Sequence, residues 1–206
     1  MKIEAIATDL DGTLLNCEHK ISEYNKRVLK KVVEMGIPVI IATGRLYTSL
    51  YKYKEELDLK TPVVCYNGAM VVDGATDEKI YDVLVESDIV RGVIELARSE
   101  NVHLNLFNGG EWYIERTREE VETYHNTSGL EYHLLPSEKF ENIPVNKMMF
   151  VGENEKLLWI DAILNEKFGN RIYKAFSRPY FLEILDKSVS KGNALMNVLK
   201  KLKIVS

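Results

Sequence analysis

Two carboxylates stand close together near the amino terminus, in the run Asp9-Leu10-Asp11-Gly12-Thr13. Side chains two positions apart in an extended backbone project the same way, so we expect Asp9 and Asp11 to converge on one point. Neighbouring carboxylates repel each other unless a cation or a shared proton separates them, and their oxygens suit Mg²⁺. One carboxylate could then act as a nucleophile while the other transfers protons. The alternative is an acidic turn that caps a helix.

A second candidate site is Thr43-Gly44-Arg45, which follows an apolar run and precedes a helical pattern. A hydroxyl, an unobstructed backbone N–H and a helix amino terminus together favour binding of an anion, here a phosphoryl group. The alternative makes Thr43 a helix cap and Arg45 an ordinary surface residue.

Two further candidates follow along the chain. Asn67-Gly68 comes after the third apolar run and predicts a ligand contact, a hairpin turn into Val71-Val72, or both. Lys191 opens the last helical pattern. Its ammonium could lie beside a phosphate and the two carboxylates and offset the charge that develops there, or it could be solvated.

The elements that must position these residues are predicted by the hydrophobic pattern. Short apolar runs alternate with amphipathic segments as far as residue 84, which is typical of βα units on a parallel sheet. We expect strands over 3–8, 37–42 and 63–66, buried on both faces, and helices between Ser22 and Gly36 and over 46–57. Because the carboxyl ends of parallel strands meet at one sheet edge, the first three candidate sites are expected to lie together.

The pattern changes near residue 82. Helical segments now alternate with hairpin-like strands, and Asn108-Gly109-Gly110 is a strong turn signal. We therefore predict an α/β protein: a Rossmann-like parallel-sheet core over 1–81 and 189–206, with an inserted α+β domain over 82–188. Helices are expected in this domain over 89–99, 118–125 and 155–168, and strands over 103–107, 112–115, 148–151, 171–176 and 180–185.

Aromatic residues flank the Gly-Gly turn of the inserted domain. Phe107 and Trp112-Tyr113 either select a substrate from a loop or pack across the strands, and the sequence does not separate these interpretations. His125, Glu131 and His133 are more typical of solvated polar residues than of metal ligands.

Composition excludes several classes of protein. The chain has 206 residues, 46% of them apolar and 28% charged, with a net charge of −4. These values are typical of a folded protein, and the sequence has neither a run long enough to span a bilayer nor the start of a signal peptide. A mildly acidic chain without Lys/Arg runs has no electrostatic footprint for nucleic acid. We expect a cytoplasmic protein without nucleic-acid or membrane partners.

Four motifs, taken in order and spacing, resemble those of the haloacid dehalogenase superfamily, in particular its Cof-type sugar-phosphate phosphatases. They are Asp9-Leu10-Asp11-Gly12-Thr13, Ala42-Thr43-Gly44-Arg45, Tyr66-Asn67-Gly68-Ala69 and Ser190-Lys191-Gly192-Asn193-Ala194-Leu195. In that family the insertion between the motif that contains Thr43 and the motif that contains Lys191 is a type IIB cap, and residues 82–188 resemble it.

The resemblance implies a Mg²⁺-dependent phosphatase of small phosphorylated metabolites, with a role for each residue. Asp9 would attack the phosphorus and form an aspartyl-phosphate, and Asp11 would protonate the leaving alcohol and then activate water. Thr43 and Gly44 would hold phosphoryl oxygens, while Lys191 would fix Asp9 and the phosphate. Mg²⁺ would be bound by Asp9 and by the backbone carbonyl of Asp11. The remaining substrate-binding candidates are Arg45, Asn67 and Gly68.

The chain departs from the family pattern after Lys191. The family has a further motif beyond these four, Gly-Asp-x-x-Asn-Asp, which completes the metal site. The 15 residues that follow Lys191 do not contain it. A fragment and a natural variant are both open at this point, and in either case we expect a weakened Mg²⁺ site. Two further functions stay open: a catalytically impaired domain that binds phosphometabolites or a partner, and a phosphomutase.

Overall fold

The computed structural model describes residues 3–204. The chain folds into two compact units, and the first contains the residues up to Asp82 together with those from Val189 onward. Residues 83–188 form the second unit. None of the helices within 3–204 is long and apolar enough to cross a membrane.

The first unit is built on short parallel strands. Its elements in chain order are β1 (Ile6–Thr8), α1 (Glu23–Glu34), β2 (Val39–Ile41), α2 (Tyr47–Glu56), β3 (Val63–Cys65), β4 (Met70–Val72), β5 (Lys79–Asp82) and α7 (Lys191–Lys201). Strand β1 pairs in parallel with β2, and a parallel bridge from Ala42 to Val64 continues the pairing toward β3. The predicted parallel core is therefore present, with helices that begin and end within a few residues of the expected positions.

The expectation that the first strand is buried on both faces is wrong. Ala7 is exposed, and Ile6 and Thr8 are half-buried, whereas β2 and β3 are buried throughout. The physical reason is position in the sheet, because among the described residues β1 has a ladder partner on one side alone. The strand is also three residues shorter than the predicted run 3–8, since regular pairing begins at Ile6.

A three-stranded antiparallel meander extends the first unit beyond β3. Strand β4 pairs with β3 through Val63 and Val72, and β5 then pairs with β4. The hairpin into Val71-Val72 was predicted from the sequence, and β5 was not. Three of the four residues of β5 are exposed, and its alternation of apolar and polar residues is too weak to predict a strand.

The second unit is an antiparallel sheet backed by helices. Its elements are α3 (Ser87–Ser99), β6 (His103–Asn108), β7 (Glu111–Ile114), α4 (Glu119–Ser128), β8 (His133–Leu134), α5 (Ser137–Phe140), β9 (Lys147–Val151), α6 (Asn154–Phe168), β10 (Ile172–Arg178) and β11 (Phe181–Asp186). Within the described chain the strand order is β10-β11-β9-β6-β7-β8. Every pairing is antiparallel except that of β7 with β8. The short elements β8 and α5 were not predicted.

One face of this sheet packs on α3 and α6 and forms the apolar core of the second unit. Alternate residues of the central strands supply it, among them Leu106, Met148 and Ile184. The intervening positions on the other face include buried polar side chains, for example Asn105 and Glu183. This alternation is the period of two that a strand imposes on its side chains.

The aromatic residues beside the Gly-Gly turn pack against one another. Phe107 and Trp112 are cross-strand partners, both are almost fully buried, and both meet the ring of Tyr124 edge-on. The Trp112 indole N–H donates to Oδ1 of Asn105 at 2.8 Å, and the same oxygen lies 2.7 Å from Nε2 of His103. Burial lowers the pKa of His103, which favours its neutral ring. Packing thus accounts for the positions of Phe107 and Trp112, while a role in substrate selection stays a prediction.

Replacing Trp112 with phenylalanine should destabilise the protein by about 1–3 kcal/mol, because it removes a buried donor and leaves a void beside Asn105. Trp159 offers a matched control, since its side chain is 57% exposed against 1% for Trp112. Trp159→Phe should change the free energy of unfolding by less than about 0.5 kcal/mol. Denaturant unfolding of both variants is the measurement, and equal losses would contradict the packing assigned to Trp112.

Candidate active site

The predicted site residues of the first unit cluster where its parallel strands end. Asp9 follows β1, and Thr43 lies just beyond β2. Residues 66–69 connect β3 to β4, and Lys191 is the first residue of α7. The carboxyl edge of the sheet therefore holds all four motifs, which is where open parallel sheets place their ligands.

Asp9 is held by contacts to both of its carboxylate oxygens. Oδ1 accepts the backbone N–H of Leu10 at 2.7 Å, so Asp9 does cap the turn Leu10–Leu14, as the structural alternative anticipated. Oδ2 lies 2.5 Å from Nζ of Lys191, which the Ser190 cap places at the start of α7. Both side chains keep about a third of their surface exposed, at 36% for Asp9 and 34% for Lys191. The pair is thus ordered and still accessible to a ligand.

Asp11 has a different cationic partner. Nε of Arg45 donates to Oδ2 and Nη2 donates to Oδ1, each at 2.7 Å, which is the planar two-bond geometry of a guanidinium on a carboxylate. These hydrogen bonds raise the pKa of Arg45 above its usual value. Nδ1 of His19 lies 3.7 Å from Oδ1 of Asp11 on the same side. The two carboxylates that the sequence places together are therefore held by two separate cations.

Hydrogen bonds and close packing join the second motif, which contains Thr43, to the third motif, which contains Asn67. Thr43 is buried, its Oγ1 accepts the N–H of Arg45 at 3.3 Å, and its carbonyl accepts the N–H of Asn67 at 3.0 Å. A Cβ on Gly44 would lie 2.8 Å from Oδ1 of Asn67, so a glycine at this position lets the Asn67 side chain approach. Thr43, Gly44 and Asn67 are thus brought into one group.

Gly68 brings the third motif against the start of α7. Its φ is +109°, a conformation that L residues with a side chain rarely adopt, and a Cβ there would lie 2.3 Å from the carbonyl oxygen of Ser190. The close approach sets the start of α7 beside the 66–69 turn, and so fixes the backbone from which Lys191 reaches Asp9. The turn and ligand-site interpretations of Asn67-Gly68 are compatible, because the hairpin is formed and its tip faces this helix start.

Replacing Gly68 with alanine is expected to cost about 2–5 kcal/mol of stability, through strain at positive φ and overpacking against Ser190. Gly36→Ala is the matched control: φ at Gly36 is +76°, and a Cβ there would have no neighbour within 4 Å. The control should lose only the stability that strain at positive φ costs, about 1–2 kcal/mol. Thermal unfolding measures both, and an equal loss would show that the contact with Ser190 is not tight.

Two residues beside this site, His19 and Tyr53, were not predicted from the sequence. The Tyr53 hydroxyl donates to the carbonyl oxygen of His19 at 2.9 Å, and the Tyr53 ring centre lies 5.5 Å from Cζ of Arg45. Tyr53 is buried at helical spacing from Leu50, so its pattern indicates only a core position. Nothing in the local sequence distinguishes this tyrosine from an ordinary core residue.

The weaker metal candidates of the second unit are not gathered into a site. Nε2 of His133 lies 2.7 Å from Oε2 of Glu111, and Nδ1 of His125 lies 2.6 Å from the carbonyl oxygen of Leu130. Across residues 3–204, no group of three or more His, Cys, Asp or Glu side chains could hold a metal ion.

Asp9 and Asp11 can be tested for fit to Mg²⁺ by the chemistry of their donors. Proteins commonly bind this ion through one or two carboxylates, with water and substrate phosphate completing the coordination. The Asp9 carboxylate is partly exposed and is held by Leu10 and Lys191, and the Asp11 carboxylate is held by Arg45. Partly exposed carboxylate oxygens of this kind fit the chemistry of Mg²⁺.

A family model described as haloacid dehalogenase-like hydrolase matches residues 6–206. The chain belongs to this hydrolase family. The resemblance drawn from the four motifs is thereby confirmed. A relative from Klebsiella pneumoniae, named HMP-PP phosphatase, is 29% identical over 189 residues, which cover 92% of this chain and 69% of the relative.

Solved structures of other proteins have the same fold. One from Bacteroides thetaiotaomicron, named as a haloacid dehalogenase-like hydrolase, gives a TM-score of 0.89 at 25% identity and covers 98% of this chain and 78% of that one. A Thermotoga maritima protein gives 0.86 at 28% identity, over 98% of this chain and 76% of that one. These similarities confirm the predicted α/β fold class.

Proposed function

We propose that this hydrolase is a phosphatase that cleaves small phosphomonoesters through an aspartyl-phosphate on Asp9. The observation that carries the proposal is the contact between Asp9 Oδ2 and Lys191 Nζ at 2.5 Å, at the sheet edge where ligands bind. The phosphatase name of the Klebsiella pneumoniae relative supports the same reaction class. A partly exposed carboxylate beside an ammonium is suited to attack an anionic ester, because the ammonium offsets the charge that develops there.

The proposed reaction has two steps that share the same groups. In the first, Asp11 starts protonated. An Asp9 oxygen forms a bond to phosphorus while the bond to the leaving oxygen breaks, and Asp11 gives that oxygen its proton. In the second, Asp11 takes a proton from water as the water oxygen attacks phosphorus, and the bond from phosphorus to Asp9 breaks. Inorganic phosphate leaves and both aspartates return to their starting states.

The phosphoryl group would be held by the second and third motifs. The proposed contacts are the Thr43 hydroxyl and the Gly44 N–H, and Asn67 and Gly68 border them. Fixed donors of this kind stabilise charge on phosphoryl oxygens without reorganising during the reaction. With Asp11 protonated, Asp9 carries one negative charge while Lys191 and Arg45 carry one positive charge each, so their net charge is +1. A phosphomonoester dianion therefore brings more negative charge than these residues offset.

Mg²⁺ is the proposed cofactor for that reason. The Asp9 carboxylate and the Asp11 backbone carbonyl would hold it. When bound, the ion supplies positive charge beside the phosphoryl oxygens. Chelation of divalent cations is therefore expected to lower turnover.

The second unit has the role of a type IIB cap in this proposal. Residues 83–188 fold as a compact unit with their own apolar core. A module of this kind can select the leaving group, while the first unit supplies the chemistry. The substrate class is a small phosphorylated metabolite, with sugar phosphates and HMP-PP as the first candidates.

The test is a phosphate-release assay on the purified chain with a panel of sugar phosphates, HMP-PP and p-nitrophenyl phosphate, with Mg²⁺ and with EDTA. We expect Mg²⁺-dependent release from at least one member. Tight binding of the same compounds without release would overturn the proposal in favour of an impaired phosphometabolite-binding domain. Transfer of phosphate to a second position on a sugar would instead favour a phosphomutase.

A further inference from the structure

We propose that Arg45 is a positioning residue for Asp11 and does not bind the substrate phosphate. The inference rests on the proposed function, because it concerns the group that transfers the proton. It departs from the sequence-based expectation that Arg45 belongs with Thr43 and Gly44 in the phosphate site.

The hydrogen bonds of Arg45 carry the argument. Its Nε and Nη2 form a planar fork, and both arms of that fork bind the Asp11 carboxylate at 2.7 Å. A carboxylate has about four lone-pair sites, and the fork uses one on each oxygen of Asp11. The fork thus fixes the direction of the carboxylate without blocking its chemistry.

Asp11 is the more exposed partner of the pair. It lies in a turn where its φ and ψ are −71° and 126° and where Gly12 has a φ of +70°. Its side chain is 42% exposed, against 23% for Arg45. The less exposed guanidinium is therefore the fixed partner, and the carboxylate takes its orientation from it.

Arg45 is itself held on several sides. Its backbone N–H reaches Oγ1 of Thr43, and its carbonyl accepts the N–H of Tyr66 at 3.1 Å. The guanidinium lies near the Tyr53 ring, at 5.5 Å from Cζ to the ring centre, which is within the range of cation–π attraction. Arg45 is therefore ordered before any substrate arrives, as a positioning role requires.

A phosphate bound to the Nε–Nη2 fork of Arg45 would conflict with this arrangement. A phosphate that took the Nε–Nη2 fork would displace Asp11 and leave the proton-transferring carboxylate without its two bonds. Asp11 would then lose its hydrogen bonds to Arg45 in the same step in which it must protonate the leaving oxygen. Binding of Asp11 and binding of phosphate by the same fork are alternatives, and the structure shows the first.

The experiment compares Arg45→Met and Arg45→Lys with the unaltered chain on two substrates. One is the best sugar phosphate of the panel, and the other is p-nitrophenyl phosphate, whose phenolate leaves without a proton. For the sugar phosphate we expect kcat/KM to fall about 100-fold in Arg45→Met, the scale of lost acid catalysis. For p-nitrophenyl phosphate the fall should be about tenfold smaller. Arg45→Lys should restore little of the lost kcat/KM, because lysine cannot form two parallel hydrogen bonds to a carboxylate.

Inhibition by inorganic phosphate separates the two roles of Arg45. A positioning residue leaves the inhibition constant of phosphate nearly unchanged, and a rise of about tenfold or more, matched by KM, would overturn the inference. Equal losses on both substrates with a lowered melting temperature would also overturn it, as a purely structural effect. An unaltered chain that releases no phosphate from any substrate would instead refute the proposed function.

Tyr53→Phe serves as the control for Arg45. It keeps the ring beside the guanidinium and removes the hydroxyl that donates to His19. We expect the ratio of kcat/KM between the two substrates to stay at the value of the unaltered chain. A shift in that ratio as large as that of Arg45→Met would place the constraint on Asp11 in the His19 loop and overturn the assignment to Arg45.

Discussion

Asp9→Asn is expected to abolish phosphate release, with turnover falling by about three orders of magnitude or more. Asparagine keeps the shape of the side chain but has no carboxylate oxygen that could form the bond to phosphorus. It also leaves Lys191 without the ionic contact that it makes to Oδ2 of Asp9 at 2.5 Å. The measurement is steady-state phosphate release, with melting temperature as the check on folding.

Asp58→Asn provides the control for the nucleophile. Asp58 is a highly exposed aspartate paired with Lys60, and its backbone φ of 49° is one that asparagine adopts readily. The control should keep full activity. A folded Asp9→Asn protein with undiminished turnover would remove Asp9 from the proposed mechanism, and mass spectrometry of acid-quenched enzyme would show whether phosphate becomes attached elsewhere.

Lys191→Met should lower kcat by about 100- to 1,000-fold, the usual effect of removing one charge-stabilising donor from an active site. Methionine preserves much of the length and apolar stem of lysine, so α7 should keep its packing through Ala194 and Val198. Without the ammonium, the carboxylate of Asp9 faces an anionic ester with less offsetting charge. Steady-state kinetics on the same panel give the size of the effect.

Lys200→Met is the matched control for Lys191, because Lys200 is an exposed lysine near the other end of the same helix. Its kcat should stay within about twofold of the unaltered value, since surface substitutions away from a site change little. Equal activities for the two methionine variants would mean that the contact between Lys191 and Asp9 is structural only.

The sequence predicted the location of the candidate site because that location depends on topology. Asp9 and Thr43 each follow an apolar run, and parallel strands bring such positions to one edge. The parallel core and the main helices were predicted for the same reason, since their apolar periodicity is strong. The strand β5 and the short elements β8 and α5 were missed because they expose most of their residues or span too few of them.

The resemblance implied the pairing of Lys191 with Asp9, but the pairing of Arg45 with Asp11 was not predicted from the sequence. Arg45 and Asp11 are 34 positions apart, and no local pattern states which carboxylate a guanidinium will reach. The contact of the Tyr53 hydroxyl with His19 is hidden for the same reason, because burial of Tyr53 satisfies the helical pattern whether or not its hydroxyl has a partner. Burial of β1 was overestimated, since an apolar run does not reveal whether a strand lies at the centre or the edge of its sheet.

The contact between Lys191 and Asp9 spans 182 positions, which has a consequence for how the protein is made. Synthesis exposes the nucleophile long before its ammonium partner, so a nascent chain cannot assemble the reactive pair until the intervening module has been translated. The entropy of closing such a loop grows with the logarithm of its length, and each doubling costs only about 0.6 kcal/mol. A module of quite different size could therefore be inserted after Asp82 with little effect on the free energy of closing the pair.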